Sequence, residues 1–581
     1  MTSETKTCQN CKQNFVIEPE DFLFYEKIKV PTPSFCPSCR YQRRLANRNE
    51  WSFYKRKCSL CGKEMVSIYN PDYPGPVYCQ TCFWSDNWDR YAYGREFDFS
   101  RPFFEQFQEL RLSVPHVAMA NWLSVNSEYT NQCLENKNCY MCVSCSFNEN
   151  CLYGYWTQKS RECVDCYEVE QCELLYECLN CFGCSRSAYL QDCADCLGSF
   201  FLKDCWGCTS CFGSYGLRNK SYYWKNEPLS KEEYEKRFSE FVFSRDNIKK
   251  EREALKTLGE KFPHKYYHGR NNINSSGDYI SDAKEAKNVF NAKYTEFLRH
   301  CQDTWWSKDS MDSTEVFSEL GYELEGVDAR SCIAMTKTVS TYDSYYSELC
   351  TSSHDIFGCV GLKMAEYAIL NRSYEKEECH KLVEKIIAHM KETGEWGEFF
   401  PARMSLFAYN ETVAQDYFPL QKEEAIGQGL RWYERGNREY KVSISPEQVP
   451  QTIKEVDSSI LQETIGCISQ SEGNPRQKYA NCATAFRITE MELELYHKVN
   501  IPIPQKCSPC RRRDRLELRN PRKLYNRPCQ CAGKSSENLI YQNTSEHLHG
   551  LNHCPNKFET TYAPERPEIV YCEACYQSEV Q

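Results

Sequence analysis

Cysteines near both ends of the chain have the type and spacing that grip a tetrahedral metal ion. Cys8, Cys11, Cys36 and Cys39 form one candidate set, and Cys58, Cys61, Cys79 and Cys82 a second, each built from two C-x-x-C pairs separated by a loop. Zn2+ takes four thiolate or imidazole ligands in a tetrahedron, and a C-x-x-C pair offers two of them from one tight turn. At the far end Cys467, Cys482, Cys507 and Cys510 form a third set, whose first pair is split by the polar stretch SQSEGNPRQKYAN. The fourth joins Cys572 and Cys575 to Cys554, which stands as far from Cys572 as Cys61 does from Cys79, and takes Cys529 as its remaining ligand. Cys531, His547, His549 and His553 compete with Cys529; each histidine ranks below it, because imidazoles in a polar insertion are more often solvated than ligating. Closed four-ligand sites are structural, because no coordination position is left for water or substrate. About four structural Zn2+ ions are therefore expected.

The two ends repeat one block in diverged form. Phe15, Phe22, Tyr25, Pro31 and Pro33 precede CPSCRYQRR, with Arg48-Asn49, Tyr54 and Cys58 after it; Phe486, Leu493, Tyr496, Pro502 and Pro504 precede CSPCRRRDR, with Arg519-Asn520, Tyr525 and Cys529 after it. Each knuckle leads into a basic run: Arg40, Arg43, Arg44 and Arg48 in the first copy, Arg511, Arg512, Arg513, Arg515 and Arg519 in the second. Arginines on a short helix can contact phosphates in bidentate fashion, while Trp51, Phe53 and Tyr54 could stack on bases. That reading predicts contact with nucleic acid or a ribonucleoprotein. The competing one is a solvated helix face that also pairs with the acidic middle of the same chain.

Such sites need rigid elements to hold them, and the middle of the chain has an uncommon period. From Ser124 to Leu217 one residue in three is small or apolar, and every cysteine from Cys133 to Cys211 falls on that lattice. A helix repeats at about 3.6 residues and a strand at about 2, so neither alone sustains a period of three. A narrow β-solenoid does: short strand faces and corners aim one small side chain in three at a thin axis, leaving Tyr189, Asp192, Asp195, Phe200, Asp204 and Trp206 outside. Cys172, Cys184, Cys196 and Cys208 recur twelve apart, which predicts coils of about that length. The lattice returns from Ile280 to Thr304 and, after a loop, from Cys332 through Met335 and Thr338 to Ala365, with cysteine mostly replaced by alanine, serine, threonine and valine. Those residues cannot hold a metal, so the cysteines of the first run read as small buried hydrophobes. The alternative is a metal- or redox-handling protein that uses the thiol columns.

Ser230 with Glu233 is a capping-box signature ahead of Tyr234, Phe238 and Phe241, and Leu382, Ile386 and Met390 share a helical face; both stretches read as helices that close the solenoid ends. From Gly394 to Leu420 the chain is aromatic and reads as a belt. Glu395 and Glu398 there lack a His, Lys or nucleophile that would complete a catalytic set, so an enzyme of unknown type is the weakest reading. The fold class is mainly β with small α+β modules: a narrow β-solenoid in two halves with capping helices, flanked by paired zinc-ribbon or treble-clef-like modules. The divisions run as paired zinc modules over 1–95, a linker over 96–120, the cysteine-rich solenoid over 121–226 and a capping helix and connector over 227–262. A second solenoid over 263–372, a capping helix over 373–393, the belt and linker over 394–460 and paired zinc modules over 461–581 complete it.

A chain of 581 residues is expected to form several domains. Its 38 cysteines would suggest disulfides in a small secreted protein, but MTSETKTCQN has no basic-then-apolar signal pattern. No apolar run approaches the roughly 20 residues that cross a bilayer, and mean hydropathy is −0.69. A cytoplasmic location with reduced thiols and no membrane contact is expected. The net charge of −10 argues against a uniformly basic nucleic-acid binder. A phosphate-cradling Gly-rich loop, HExxH and a recognisable Ser/His/Asp set are all missing.

FCPSCRYQRRLANRNEW, GCVGLKMAEYAILNRSY, GEWGEFFPARMSLFAYNETVAQDYFPL and FETTYAPERPEIVYCEACY resemble a family of cysteine-rich zinc-ribbon proteins of candidate-phylum (Patescibacteria-type) bacteria, over nearly the whole chain. The resemblance implies zinc on the knuckle cysteines and implies no activity. The insertions after Cys467 and Cys531 depart from the family pattern. Together these readings point to a non-enzymatic zinc-binding scaffold whose basic terminal modules contact nucleic acid or a ribonucleoprotein, with a protein partner on the solenoid face.

Overall fold

The computed structural model describes residues 2–314, 318–322, 329–334, 337–434, 436, 440–470 and 482–580. Met335 of the lattice and positions 471–481 of the split third pair lie outside them. Two compact units form, Met1–Met119 with Tyr267–Tyr433, and Ala120–Tyr266 with Glu434–Gln581. Each unit thus joins one terminal pair of cysteine modules to the parallel sheet more remote from it in sequence.

In the unit that contains Ala120–Tyr266, strands Tyr155–Gln158, Tyr167–Glu170, Leu179–Phe182 and Ser185–Gln191 lie parallel, with Tyr155, Tyr167, Leu179 and Gln191 in one row. Arg161, Glu173 and Ser185 form another. Each partner is the residue twelve further along, so the chain returns over itself as a curled parallel sheet. Its corners are backbone turns at every third residue: Glu162, Asp165, Glu168, Gln171, Leu174, Glu177 and Asn180 all have φ near +50°. That region costs a non-glycine residue roughly 1–2 kcal/mol. Stacking offsets part of the cost where amides line up, as in Asn126 donating to Asn138 and Asn138 to Asn150, both at 3.1 Å.

A corner every three residues turns one backbone N–H in three toward the axis, where no strand partner exists. Where the slot one coil earlier holds cysteine, serine or asparagine, that side chain can satisfy it. Thr157 N–H donates to Cys145 Sγ at 3.4 Å, Leu217 N–H to Cys205 Sγ at 3.4 Å, Cys211 N–H to Ser199 Oγ at 3.1 Å and Ser160 N–H to Asn148 Oδ1 at 2.9 Å. The thiols donate in turn to carbonyls, Cys133 to Asn131 and Cys142 at 3.3 and 3.5 Å, Cys205 to Lys203 and Ser214 at 3.4 and 3.6 Å. Burial pushes Cys172 up to about 12, which keeps the donating proton in place. Cysteine here is small and buried, as expected, but it also bonds in both directions, and that explains why serine, threonine and asparagine share its slots.

These inward residues form one cluster with Val169, Leu175, Leu190 and Leu202. Tyr189 and Phe201 belong instead to a second cluster outside the sheet, covered by Tyr234, Phe243 and Ile248. The covering helices are Lys231–Glu240, whose Ser230–Glu233 capping box is formed, and Arg245–Gly259.

In the unit that contains Tyr267–Tyr433, the sheet keeps the twelve-residue register from Gly277↔Val289 through Glu296↔Lys308, and again at His354↔Glu366. Between these, Ser310↔Gly321 and Gly321↔Cys332 are eleven apart. Two coils shortened by one residue each account for the lattice resuming out of phase at Cys332. Inward serines repeat the bonding pattern, Cys359 N–H donating to Ser347 Oγ at 3.3 Å and Ala365 N–H to Ser353 Oγ at 3.0 Å. Helix Lys376–Glu392 packs Ile386 and Met390 against Phe357 and Ile369 in the core of this unit.

Replacement of Cys205 by serine should leave stability nearly unchanged, because Ser199 already fills such a slot. Cys205→Ala strands the Leu217 N–H and should cost about 1–3 kcal/mol. Urea denaturation of the two variants checks this; equal stability of serine and alanine variants would refute the hydrogen-bonding role.

Candidate metal centres

Each cysteine module is a hairpin followed by a helix. The turn of Glu4–Thr7 with Asn14–Ile17 carries Cys8 and Cys11, and that of Tyr54–Lys57 with Glu64–Ser67 carries Cys58 and Cys61. Cys36, Cys79 and Cys507 are the N-cap residues of helices Pro37–Leu45, Gln80–Trp84 and Ser508–Leu516. Helix N-termini favour thiolates. Cys36 is drawn down to about 5, chiefly by the Cys39 thiol that hydrogen-bonds to it.

The folded chain brings together Cys8, Cys11, Cys36 and Cys39; Cys58, Cys61, Cys79 and Cys82; Cys467, Cys482, Cys507 and Cys510; and Cys529, Cys554, Cys572 and Cys575, the ligand atoms of each group within 4.8 Å of one another. A tetrahedron with metal–sulfur bonds of about 2.3 Å places its sulfurs about 3.8 Å apart. Cys11 and Cys36 are separated by 3.7 Å, Cys61 and Cys79 by 4.0 Å, Cys482 and Cys507 by 3.7 Å, and Cys554 and Cys572 by 3.8 Å. All four groups could hold a metal ion. One further bond recurs in every group: Cys36 N–H donates to Cys8 Sγ, Cys79 to Cys58, Cys507 to Cys467 and Cys572 to Cys529, at 3.2–3.3 Å. Cys467 therefore stands where Cys8 does, and Cys529 where Cys58 does, whatever has been inserted between.

Cys531 and two of its neighbouring histidines do not displace Cys529. They converge separately, as Cys531, His547, His549 and the shared Cys575. His553 is exposed and belongs to neither group. Sequence reasoning had the members of this second cluster but treated them as substitutes, because nothing in the spacing shows that one cysteine can serve two groups.

The arginines lie elsewhere than expected. Arg40 Nε meets Asp312 Oδ2 at 2.8 Å and Arg44 Nη1 meets Oδ1 of the same carboxylate at 3.4 Å. Arg43 pairs with Glu398 at 3.0 Å and Arg48 with Glu50 at 2.5 Å. In the other unit, Arg511 and Arg515 reach the two oxygens of Asp165, both at 2.8 Å, and Arg519 reaches Glu168 at 2.5 Å. Asp312 and Asp165 are both fully buried, and both sit at left-handed corners of their sheets. The expectation that Arg40, Arg43, Arg44, Arg48, Arg511, Arg515 and Arg519 face phosphates is thus corrected: their side chains are buried and held by carboxylates of their own unit. Arg512 and Arg513 are half-buried, with Arg513 3.7 Å from Glu517. Tyr54 is buried too, its hydroxyl 2.5 Å from Glu411.

Glu395 and Glu398 are likewise engaged. Glu395 accepts from the Phe103 and Phe104 N–H groups at 2.9 and 2.7 Å, supplying a cap for helix Phe103–Ser113, and Glu398 accepts from Ser34 and Arg43. No family model and no curated protein matches the chain.

Removing one member of a buried ion pair leaves the other uncompensated, at a cost of about 3–5 kcal/mol. Asp165→Ala abandons two guanidinium groups and should reach at least that range, measured by chemical denaturation. Glu149→Ala, which breaks a pair with Lys137 exposed on both sides, should leave the denaturation midpoint almost unmoved.

Proposed function

We propose that the chain is a non-catalytic, zinc-stabilised scaffold. In this reading the four all-cysteine groups hold structural Zn2+, and the two curled sheets are narrow β-solenoids that present an outer face to a protein partner. The observation that carries it is the 3.7–4.0 Å sulfur spacing, repeated in four places. All-thiolate tetrahedra select zinc or iron–sulfur chemistry, and four protein ligands leave no position open for a substrate. The resemblance to zinc-ribbon proteins points the same way. The sheet thiols favour the scaffold over a metal- or redox-handling array, since among the described residues they bond to backbone carbonyls and none belongs to a group that could hold an ion.

A partner-facing surface is supported by aromatic side chains left outside the sheet of the unit that contains Tyr267–Tyr433. Tyr294 and Trp306 stack at 5.8 Å between centroids, twelve residues apart, and both are exposed, as is Phe297. Exposed apolar groups aligned along a repeat mark interaction sites. Nucleic acid or a ribonucleoprotein is the second candidate partner, resting on Arg512, Arg513 and the exposed Lys55 and Lys57 rather than on the buried arginines.

Full-length protein purified under reducing conditions should carry at least four zinc ions by elemental analysis, and chelation should lower the melting temperature sharply. Structural zinc contributes about 10–16 kcal/mol to the folding of a small module. Fewer than four ions, or iron with visible absorption, would sink the reading. A gel shift at low salt should give no retarded RNA or DNA band; a salt-dependent band lost in an Arg512→Ala/Arg513→Ala variant would restore nucleic acid as the partner.

A further inference from the structure

The insertion between Cys529 and Cys554 has no counterpart between Cys58 and Cys61, yet the group it opens still closes. Its residues are packed rather than loose. Cys531 is fully buried and His547 nearly so, and Cys554 N–H donates to the Cys531 carbonyl at 2.9 Å. Three side chains from this segment, Cys531, His547 and His549, meet Cys575, which already belongs to the fourth cysteine group.

Two imidazoles are oriented from behind. His547 Nε2 lies 2.7 Å from Glu579 Oε1, a carboxylate also held by the Tyr541 hydroxyl at 2.9 Å and the Thr544 N–H at 2.8 Å. The carboxylate fixes the proton on Nε2 and turns the Nδ1 lone pair toward Cys531 Sγ, 3.2 Å away. His549 does the reverse: Nδ1 faces the Asn552 carbonyl at 2.7 Å, leaving Nε2 3.3 Å from Cys575 Sγ. Such outer partners, a carboxylate or a carbonyl on the far nitrogen, are what orient metal-bound histidines. A tetrahedral ion with metal–sulfur bonds of about 2.3 Å and metal–nitrogen bonds of about 2.0 Å spaces S and N about 3.5 Å apart. The observed separations need only a small expansion.

We propose that the C-terminal module holds two ions, with the Cys575 thiolate bridging them. One ion takes Cys529, Cys554, Cys572 and Cys575; the other takes Cys531, His547, His549 and Cys575. Five thiolates and two neutral imidazoles then serve two divalent cations, each four-coordinate. A donor set of two thiolates and two imidazoles suits zinc. The inference rests on the four-cysteine reading above and adds a site to it, so the insertion is a ligand-bearing segment and the N-terminal counterpart, which lacks it, remains mononuclear.

The test is metal counting on the full chain loaded with zinc, beside a His547→Ala/His549→Ala variant. Five ions in the unaltered chain and four in the variant are expected. X-ray absorption on the unaltered, cobalt-substituted chain gives a readout independent of variant folding, and should show a nitrogen shell and a metal–metal vector. Four ions in the unaltered chain, five that persist in the variant, or absorption with sulfur alone overturns the shared site and leaves the four all-cysteine sites standing. A count below four overturns those sites themselves.

Discussion

A backbone that turns every third residue cannot satisfy itself. Two of its three N–H groups find carbonyls in neighbouring coils, as Leu134 does with Cys145 and Glu135 with Trp122, while the third points at the axis. Buried amides go unpaired only rarely and at real cost. Many of the slots carry a side chain that is short, that accepts one bond, and whose own hydrogen can be disposed of locally, while Val169, Leu175, Leu190 and Leu202 fill others by packing alone. Cysteine, serine, threonine and asparagine meet those conditions. Cysteine suits these slots by size and hydrogen bonding before any metal is considered.

The same corners serve the metal modules. A left-handed residue projects away from the axis, and at Asp165 and Asp312 that projection carries a carboxylate to a helix that begins at a cysteine of a candidate metal group. In each unit a single buried acid receives two arginines four residues apart, one helical turn. Any metal that fixes the knuckle thereby also aims the guanidinium groups, and the sheet in turn fixes where the helix starts.

Legibility in the sequence depended on range. C-x-x-C pairs are local turns, so Cys36 and Cys39 or Cys572 and Cys575 could be read directly, and repetition of the block located Cys467 across its insertion. The period of three is local as well, and it carried both the inward cysteines and the twelve-residue return. The eleven-residue coils around Gly321 were visible only as a break in phase. Charge runs were ambiguous for a physical reason: a guanidinium attracts a phosphate and a carboxylate alike, and the carboxylate that Arg40 meets lies 272 residues further on. Double duty at Cys575 was equally hidden, since the second group depends on Glu579, near the end of the last helix, to turn His547.

The pairing of each terminal module with its more remote sheet sets an order during synthesis. Arg40 and Arg44 leave the ribosome long before Asp312 exists to receive them, an interval on the order of tens of seconds at typical elongation rates. Throughout it, the basic N-terminal helix lacks the carboxylate that its buried arginines meet in the folded unit. The C-terminal helix emerges to find Asp165 already made. Translation thus treats the two copies of one block unequally: the acid that receives the first pair of arginines is made after them, and the acid that receives the second pair before.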